Sequence, residues 1–170
     1  MSNNGKFMNL TGGVPSLETG ATTGGNVDAG KIPALDPSGR LTMAMMPVGV
    51  ANEAATAPAS EAIAAGALIN LWSNGGVLNM RNADSSVVGK PAHGFILAAV
   101  ASGATGQYFL PGSTNTGVSG RTIGATEFLG TVGAVTETAP TTSGSVVQQV
   151  GVASSATALV FNPQAPIAIS

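Results

Sequence analysis

Short apolar runs separated by Gly, Pro, Asn and Ser fill the chain after about residue 53. The strand candidates are, in order, ALINLW, VLNMR, AHGFILAAV, GQYFLPG, TEFLGTVGAV, SVVQQVGVA and ALVFN. Turn residues recur at roughly 8–12-residue intervals, a spacing typical of β-barrels and sandwiches. The pattern therefore predicts an all-β domain over residues 53–170, a compact antiparallel β-barrel or sandwich.

Two places in this domain give a more local signal. Asn74-Gly75-Gly76 lies between two apolar runs and predicts a β-hairpin, because a type I′ turn needs positive φ at both central residues. The segment PASEAIAAGAL, from Pro58 to Leu68, fits a short helix and a strand about equally well. Ser60 could cap such a helix, and Gly66 would limit its length.

Residues 1–52 carry a different pattern. The Gly/Thr-rich segment TGGVPSLETGATTGGNVDAG has neither a helical nor a strand period. Further on, Asp36-Pro37-Ser38-Gly39 suits a type I turn, with Pro at its second and Gly at its fourth position. The run LTMAMMP then alternates apolar residues as an extended strand does, until Met46 breaks the alternation. These residues are too few to build a core, so we predict an extended N-terminal arm over residues 1–52.

The composition narrows the class of partner. Charged residues make up 8% of the 170-residue chain and the net charge is −2, so nothing favours nucleic acid or an anionic membrane as a partner. No apolar run approaches the roughly 18 residues of a membrane span. A surface this poor in charge is a solubility liability for a free monomer, which favours a protein covered by neighbours in an assembly.

The sequence shows no constellation of catalytic residues. His93 is the single histidine and stands beside Pro91 and Gly94 without a partner motif, so a structural or interface role is expected. There is no cysteine, no Gly-x-Ser-x-Gly elbow and no P-loop lysine. Acidic residues are scattered singly. We expect no enzyme activity, no cofactor and no metal site.

The segment DAGKIPALDPSGRLTMAMMP, from Asp28 to Pro47, resembles a segment of tailed-bacteriophage virion proteins, both small head proteins and fibre-like proteins. The shared pattern is an Asp-Ala-Gly-Lys start, an apolar-Leu-Asp-x-x-Gly-Arg-Leu turn and a Met-apolar-Pro end. KPAHGFILAAVASGATGQYFLPGSTN and GTVGAVTETAPTTSGSVVQQVGVASSATALVFNP resemble a β-domain of the same small phage proteins. The resemblance covers most of the chain. It implies a virion structural protein, a capsid cement (decoration) protein that forms a homotrimer on the outer capsid surface after assembly in the host cytoplasm.

The resemblance gives the arm a partner, the major capsid protein. Apolar side chains could anchor the arm in a groove, and main-chain pairing could add affinity by strand addition. The predicted capsid-contacting residues are Lys31, Ile32, Leu35, Arg40, Leu41, Met43, Met45 and Met46. The three methionines are also compatible with ordinary local packing, since Met fills gaps.

Two alternatives remain open at this point. The Gly-Arg-Leu segment also occurs in fibre proteins, so the chain could be a tail-fibre or receptor-binding component with a carbohydrate-binding β-domain. Carbohydrate sites usually need exposed aromatic side chains, and besides five Phe the chain has only Trp72 and Tyr108. A small hydrolase is the third reading, which the missing catalytic motifs disfavour.

Overall fold

The computed structural model describes residues 6–11, 13–20, 32–35, 41 and 54–170. The chain divides into two compact units, residues 1–51 and 52–170. Every regular element among the described residues is a β-strand, so the predicted all-β class is confirmed. The strands are β1 (Lys6–Thr11), β2 (Val14–Thr19), β3 (Ala54–Pro58), β4 (Leu68–Asn74), β5 (Val77–Asn82), β6 (Gly94–Phe95), β7 (Thr105–Phe109), β8 (Thr114–Asn115), β9 (Thr126–Leu129), β10 (Val135–Thr136), β11 (Val146–Val147), β12 (Gln149–Ser155), β13 (Ala158–Phe161) and β14 (Ile167–Ala168).

The first unit contains an antiparallel hairpin of β1 and β2. Thr11 pairs with Val14 beside the turn, and Met8 pairs with Leu17 in mid-strand. Val14–Thr19 belongs to the Gly/Thr-rich segment that shows no strand period, so the pattern missed this element. Main-chain pairing between β1 and β2 satisfies N–H and C=O groups whether or not the side chains alternate, which is why the pattern gave no signal.

The second unit begins with a five-stranded antiparallel sheet in the order β3-β7-β6-β4-β5. Its two outer strands also meet. Ala59, directly after β3, forms a parallel bridge with Met80 of β5. The Ser60 amide donates to the Met80 carbonyl at 2.9 Å. The sheet therefore curls until its first and last strands are hydrogen-bonded, which leaves less unpaired edge for other chains.

A second five-stranded antiparallel sheet has the order β10-β9-β12-β13-β8, and β11 pairs with β14 in a short separate ladder. Strand β12 is irregular, with register shifts between Gln149 and Gly151 and between Ala153 and Ser155. Such bulges bend a strand and increase its twist, as curved sheets require.

The two sheets share one core, and the curled first sheet encloses another. Leu68 and Ile69 are neighbours on β4 and both are fully buried. Successive strand residues point to opposite faces, so both faces of β4 must be covered. Leu68 belongs to the core shared with the second sheet, which includes Leu129, Val150 and Phe161. Ile69 belongs to the core inside the curled first sheet, together with Met80. This arrangement confirms the sandwich prediction.

Three phenylalanine rings connect the sheets within the shared core. The Phe95 ring is stacked on Phe109 of the same sheet, with ring centroids 5.3 Å apart. It meets Phe161 of the second sheet edge-on at 5.5 Å. Offset-stacked and edge-on contacts of this kind add about 0.5–1.5 kcal/mol beyond area burial.

The hairpin predicted at Asn74-Gly75-Gly76 is confirmed. Asn74 pairs with Val77, and Gly75 and Gly76 have φ of 61° and 86°. Both central residues of the turn therefore adopt positive φ, as a type I′ turn requires. The turn is local in sequence, so its Gly-Gly pair was sufficient to predict it.

Two predicted elements differ from the structure. In the run Ala92 to Val100 only Gly94–Phe95 is strand, because the chain bends after Ile96 and residues 97–99 are exposed. Between Pro58, the last residue of β3, and Leu68, the first residue of β4, there is neither a helix nor a strand. Most of its hydrogen-bonded amides donate to distant carbonyls, as Ile63 does to Val100 at 2.9 Å, and only the turn 64–67 has a local hydrogen bond, from the Ala67 amide to the Ala64 carbonyl.

A four-residue turn with Gly at its third position recurs through the second unit. In each case the amide of the fourth residue donates to the carbonyl of the first, and the Gly has positive φ. When the second residue has negative φ, these features define a type II turn. The type II turns are 64–67, 87–90, 101–104, 110–113, 122–125 and 142–145. The turn 131–134 differs, because Val132 also has positive φ, 50°. None of the described residues forms a helix that could cross a membrane.

Candidate interaction surfaces

The structure describes some of the predicted capsid-contacting residues. Ile32, Leu35 and Leu41 are exposed. The remaining members of the predicted set, Lys31, Arg40, Met43, Met45 and Met46, lie outside the described residues. Contact between any of them and a capsid protein stays a prediction.

The β1–β2 hairpin adds an apolar surface that the sequence reasoning missed. Met8 and Leu17 lie directly opposite each other and are 73% and 70% exposed. Val14 is exposed on the same hairpin. A two-stranded hairpin is marginally stable in water by itself, so burial of this pair against another surface would stabilise it. A usable signal was the Gly12-Gly13 pair between two short apolar stretches.

Three of the most exposed apolar side chains of the second unit lie at turn tips. Val88, Ile123 and Val132 each occupy the second position of a four-residue turn and are 63%, 71% and 65% exposed. Exposed turn positions usually carry polar residues, Gly or Pro. The signal that could have found these residues is an apolar residue directly before each turn Gly, in the dipeptides Val-Gly and Ile-Gly.

Asp84 links two of these tips. Its carboxylate accepts hydrogen bonds from the Ser86 amide at 2.9 Å and the Ser86 hydroxyl at 2.7 Å. Burial raises the pKa of Asp84, but the hydrogen bonds from Ser86 and the Val132 amide, together with the Lys90 charge, outweigh it and hold the pKa below its ordinary value. The Asp84 amide also donates to the Lys90 carbonyl at 2.9 Å. The turns that carry Val88 and Val132 are therefore both attached to Asp84, the first through its main chain and the second through its carboxylate.

Arg121 and Glu127 form an ion pair in the second unit. The Arg121 Nη1 atom lies 3.4 Å from Glu127 Oε2, and Glu127 is fully buried. Burial raises the pKa of the Glu127 carboxyl, the adjacent Arg121 charge and hydrogen bond lower it in part, and the Glu137 charge raises it further. Glu137 has the opposite shift, because hydrogen bonds from Thr122 lower its pKa.

The His93 ring is hydrogen-bonded to the main chain of β4. The Leu71 amide donates to its Nδ1 at 3.1 Å, which makes Nε2 the protonated nitrogen of the neutral ring. Burial lowers the pKa of His93 and so favours this neutral form. Among the described residues there is no cluster of three or more His, Cys, Asp and Glu that could hold a metal ion.

The two aromatic residues considered for carbohydrate binding are both engaged. The Arg81 guanidinium lies over the Trp72 ring, 4.6 Å from its centroid, and the indole nitrogen donates to the Ser60 hydroxyl at 3.2 Å. Tyr108 is 5% exposed and belongs to the core inside the first sheet. Neither side chain offers a fully open aromatic platform of the kind that sugars stack on.

Comparison with known proteins yields one low-level likeness. No protein-family model matches the chain, and no curated protein matches it. Among solved structures, the chain is similar to the crystal structure of the head fiber gp8.5 N base in bacteriophage phi29, with 17% sequence identity and a TM-score of 0.43. The likeness covers 64% of this chain and 92% of that chain. At this identity and TM-score it carries no argument about fold or function.

Both units carry exposed aliphatic side chains. Ile32, Leu35 and Leu41 in the first unit, like Val88 and Val132 in the second, are exposed and aliphatic. Charged side chains make up 8% of the chain. Exposed aliphatic side chains with few charges among them suit apolar contact with another protein.

Proposed function

We propose that this protein is a bacteriophage virion structural protein, a homotrimeric cement protein that decorates and stabilises the capsid from its outer surface. The observation that carries the proposal is the segment from Asp28 to Pro47, which resembles a segment of phage virion proteins. Within that segment Ile32, Leu35 and Leu41 are exposed aliphatic side chains, available for contact with a second protein.

The arm binds the major capsid protein through several weak contacts acting together. Each buried anchor contributes roughly 1.5–3 kcal/mol before ordering costs. Ordering the backbone costs about 1–2 kcal/mol per residue, so anchors and main-chain hydrogen bonds must act jointly. Many copies on one shell convert modest affinity into avidity. The function requires no catalytic group, cofactor or metal, and no contact with nucleic acid or membrane.

The test is co-sedimentation with undecorated capsids. A variant lacking residues 1–52 is expected to fold and to remain trimeric, but to stay in the supernatant. The double substitution Leu41→Asp and Met45→Asp is expected to have nearly the same effect, because it places charge in an apolar groove. The matched control is Thr42→Asp with Ala44→Asp, which adds the same charge at the alternate positions of the same run. Undiminished binding by the truncated protein would move the capsid contact into the second unit.

The trimer and the location in the virion have separate tests. Light scattering is expected to give a trimer whose dissociation responds weakly to salt, since an apolar interface contains few charges to screen. A monomer at micromolar concentration would remove the trimer from the proposal. Labelled protein imaged on virions is expected over the icosahedral shell. A signal confined to the tail would instead support the fibre or receptor-binding alternative.

A further inference from the structure

An open cavity of about 300 Å³ lies beside Arg121 in the second unit. Most of its wall is aliphatic or backbone, with small side chains that leave the space empty. Its wall includes Ala64, Ala65, Val118, Ser119, Arg121 and Ala134. The cavity is at the small end of the range for ligand sites, so it fits a short chain of atoms and excludes a nucleotide or an oligosaccharide.

Arg121 is the charged residue of this wall, and its side chain is held in place. Its Nε donates to the Ser119 carbonyl at 3.0 Å. Its Nη1 donates to the Val135 carbonyl at 3.2 Å and to Glu127 Oε2 at 3.4 Å. A guanidinium has five N–H donors, and no acceptor among the described residues engages the two on Nη2. The group is therefore fixed in position while part of its donor capacity is unused.

The carboxyl beside Arg121 engages only one nitrogen of the guanidinium, Nη1. Glu127 is fully buried, and its Oε1 has no hydrogen-bond partner within the described part of the chain. Burial raises the pKa of this carboxyl, and the Arg121 charge and hydrogen bond lower it in part. The Arg121 charge also helps to lower the pKa of the exposed Glu137 carboxyl. An anion that reaches Nη2 would supply the acceptor that no described residue supplies there, in a charge-assisted hydrogen bond.

The cavity wall and the free donors together define a ligand with two parts. We propose that the cavity binds an aliphatic carboxylate. Arg121 and the exposed Ser119 hydroxyl donate hydrogen bonds to the carboxylate, and Ala64, Ala65 and Ala134 contact the aliphatic body. The same chemistry is offered by an Asp or Glu side chain flanked by small apolar residues in a partner polypeptide, and by a free short-chain acid. The proposal is independent of the capsid role, because binding of the carboxylate can be measured on the isolated protein.

The test titrates the full-length protein with matched ligands, followed by amide chemical shifts. Butyrate is compared with butyramide, which has the same shape without charge. N-acetyl-Ala-Asp-Ala-amide is compared with its Asn counterpart. Each carboxylate is expected to bind at least about tenfold more tightly than its amide, a difference of about 1.4 kcal/mol. The shifts should be confined to residues around Ser119, Arg121 and Ala134. Tighter binding of the Asp peptide than of butyrate identifies a polypeptide ligand, and equal binding identifies a small acid.

A space-filling variant tests the location without removing Arg121. Ala65→Leu is expected to abolish carboxylate binding, because the larger side chain fills the cavity from an exposed turn position. Ser143→Leu is the matched control, since Ser143 holds the corresponding position of the turn 142–145 outside the cavity. It should bind like the wild type. Equal affinity for carboxylates and amides, or full binding by Ala65→Leu, overturns the proposal. Arg121→Gln is a poorer test, because it leaves Glu127 buried without its partner.

Discussion

The Gln148 side chain pairs with the backbone of Ala92 through two hydrogen bonds. The Ala92 amide donates to Gln148 Oε1 at 2.7 Å, and Gln148 Nε2 donates to the Ala92 carbonyl at 3.1 Å. The same Nε2 also donates to the Gln164 carbonyl at 3.1 Å. These hydrogen bonds are shielded from water, because Gln148 and Ala92 are both buried. The side chain thus serves as a substitute for a neighbouring strand and joins three segments that are distant in sequence.

Gln148→Ala is therefore expected to lower the free energy of unfolding by about 2–4 kcal/mol. Removing the amide leaves the buried Ala92 N–H and C=O groups without partners, and each unsatisfied group costs about 1–3 kcal/mol. Urea unfolding of the purified protein measures the loss. The adjacent Gln149→Ala is the control and is expected within about 0.5 kcal/mol of the wild type. Equal effects of the two substitutions would mean that the Ala92 contact contributes little.

The hairpin turn gives a prediction that depends on backbone conformation alone. A Cβ added at Gly75 meets no other atom within 4 Å, so any cost comes from its φ of 61°. Gly75→Val is expected to destabilise the protein by about 1–2 kcal/mol, because a β-branched residue resists positive φ. Gly75→Asn should be nearly neutral, since Asn is favoured in type I′ turns. Thermal melting of both variants checks the pair, and an unaffected valine variant would refute the turn-strain argument.

The sequence predicted those elements whose determinants are local. Asn74-Gly75-Gly76 marks its own turn, and the apolar runs of β4, β7 and β13 coincide with strands. The run from Ala92 to Val100 was predicted as one strand, but the chain bends after Ile96, exposes residues 97–99 and returns to the core at Val100. An unbroken apolar run does not mark such a bend. The bridge of Ala59 to Met80 that closes the first sheet depends on long-range pairing and left no mark in the pattern.

The candidate surfaces were only partly predictable for a related reason. The apolar character of Ile32, Leu35 and Leu41 could be read from the sequence, and their exposure could not. The cavity beside Arg121 was not predictable. Its walls come from segments near residues 64–67, 117–121 and 132–135, which are brought together only by the paired strands and turns.

Val132 carries backbone strain that a substitution should relieve. It has φ of 50° in the turn 131–134, and its exposed side chain is not needed in either core. Val132→Asn is expected to raise the free energy of unfolding by about 0.5–1.5 kcal/mol, because Asn tolerates positive φ far better than a β-branched residue. Val88→Asn changes the same residue type in a turn where φ is negative, and it should give no such gain. If Val88→Asn also raises the melting temperature, the gain comes from placing a polar side chain on the surface and not from relief of backbone strain.

Glu127 should make stability depend on pH in an unusual direction. Burial is the largest cause that raises its pKa, so the folded protein holds this proton more tightly than the unfolded chain does. The resulting stabilisation is fully present below the unfolded pKa and is lost as the pH rises through the folded pKa. Asp84 and Glu137 have lowered pKa values and contribute stability with the opposite dependence, which is lost as the pH falls.

Comparison with Glu127→Gln separates Glu127 from these other groups. Gln stays neutral at every pH and can still accept from Arg121, while Asp84 and Glu137 are present in both proteins. The free energy of unfolding of the variant minus that of the wild type is therefore expected to increase from about pH 4 to about pH 8. Urea unfolding at several pH values across that range gives the difference directly. Parallel curves would show that Glu127 titrates alike in the folded and unfolded chain. A difference that falls with pH would show that the ionised carboxylate, paired with Arg121, is the form that the fold stabilises.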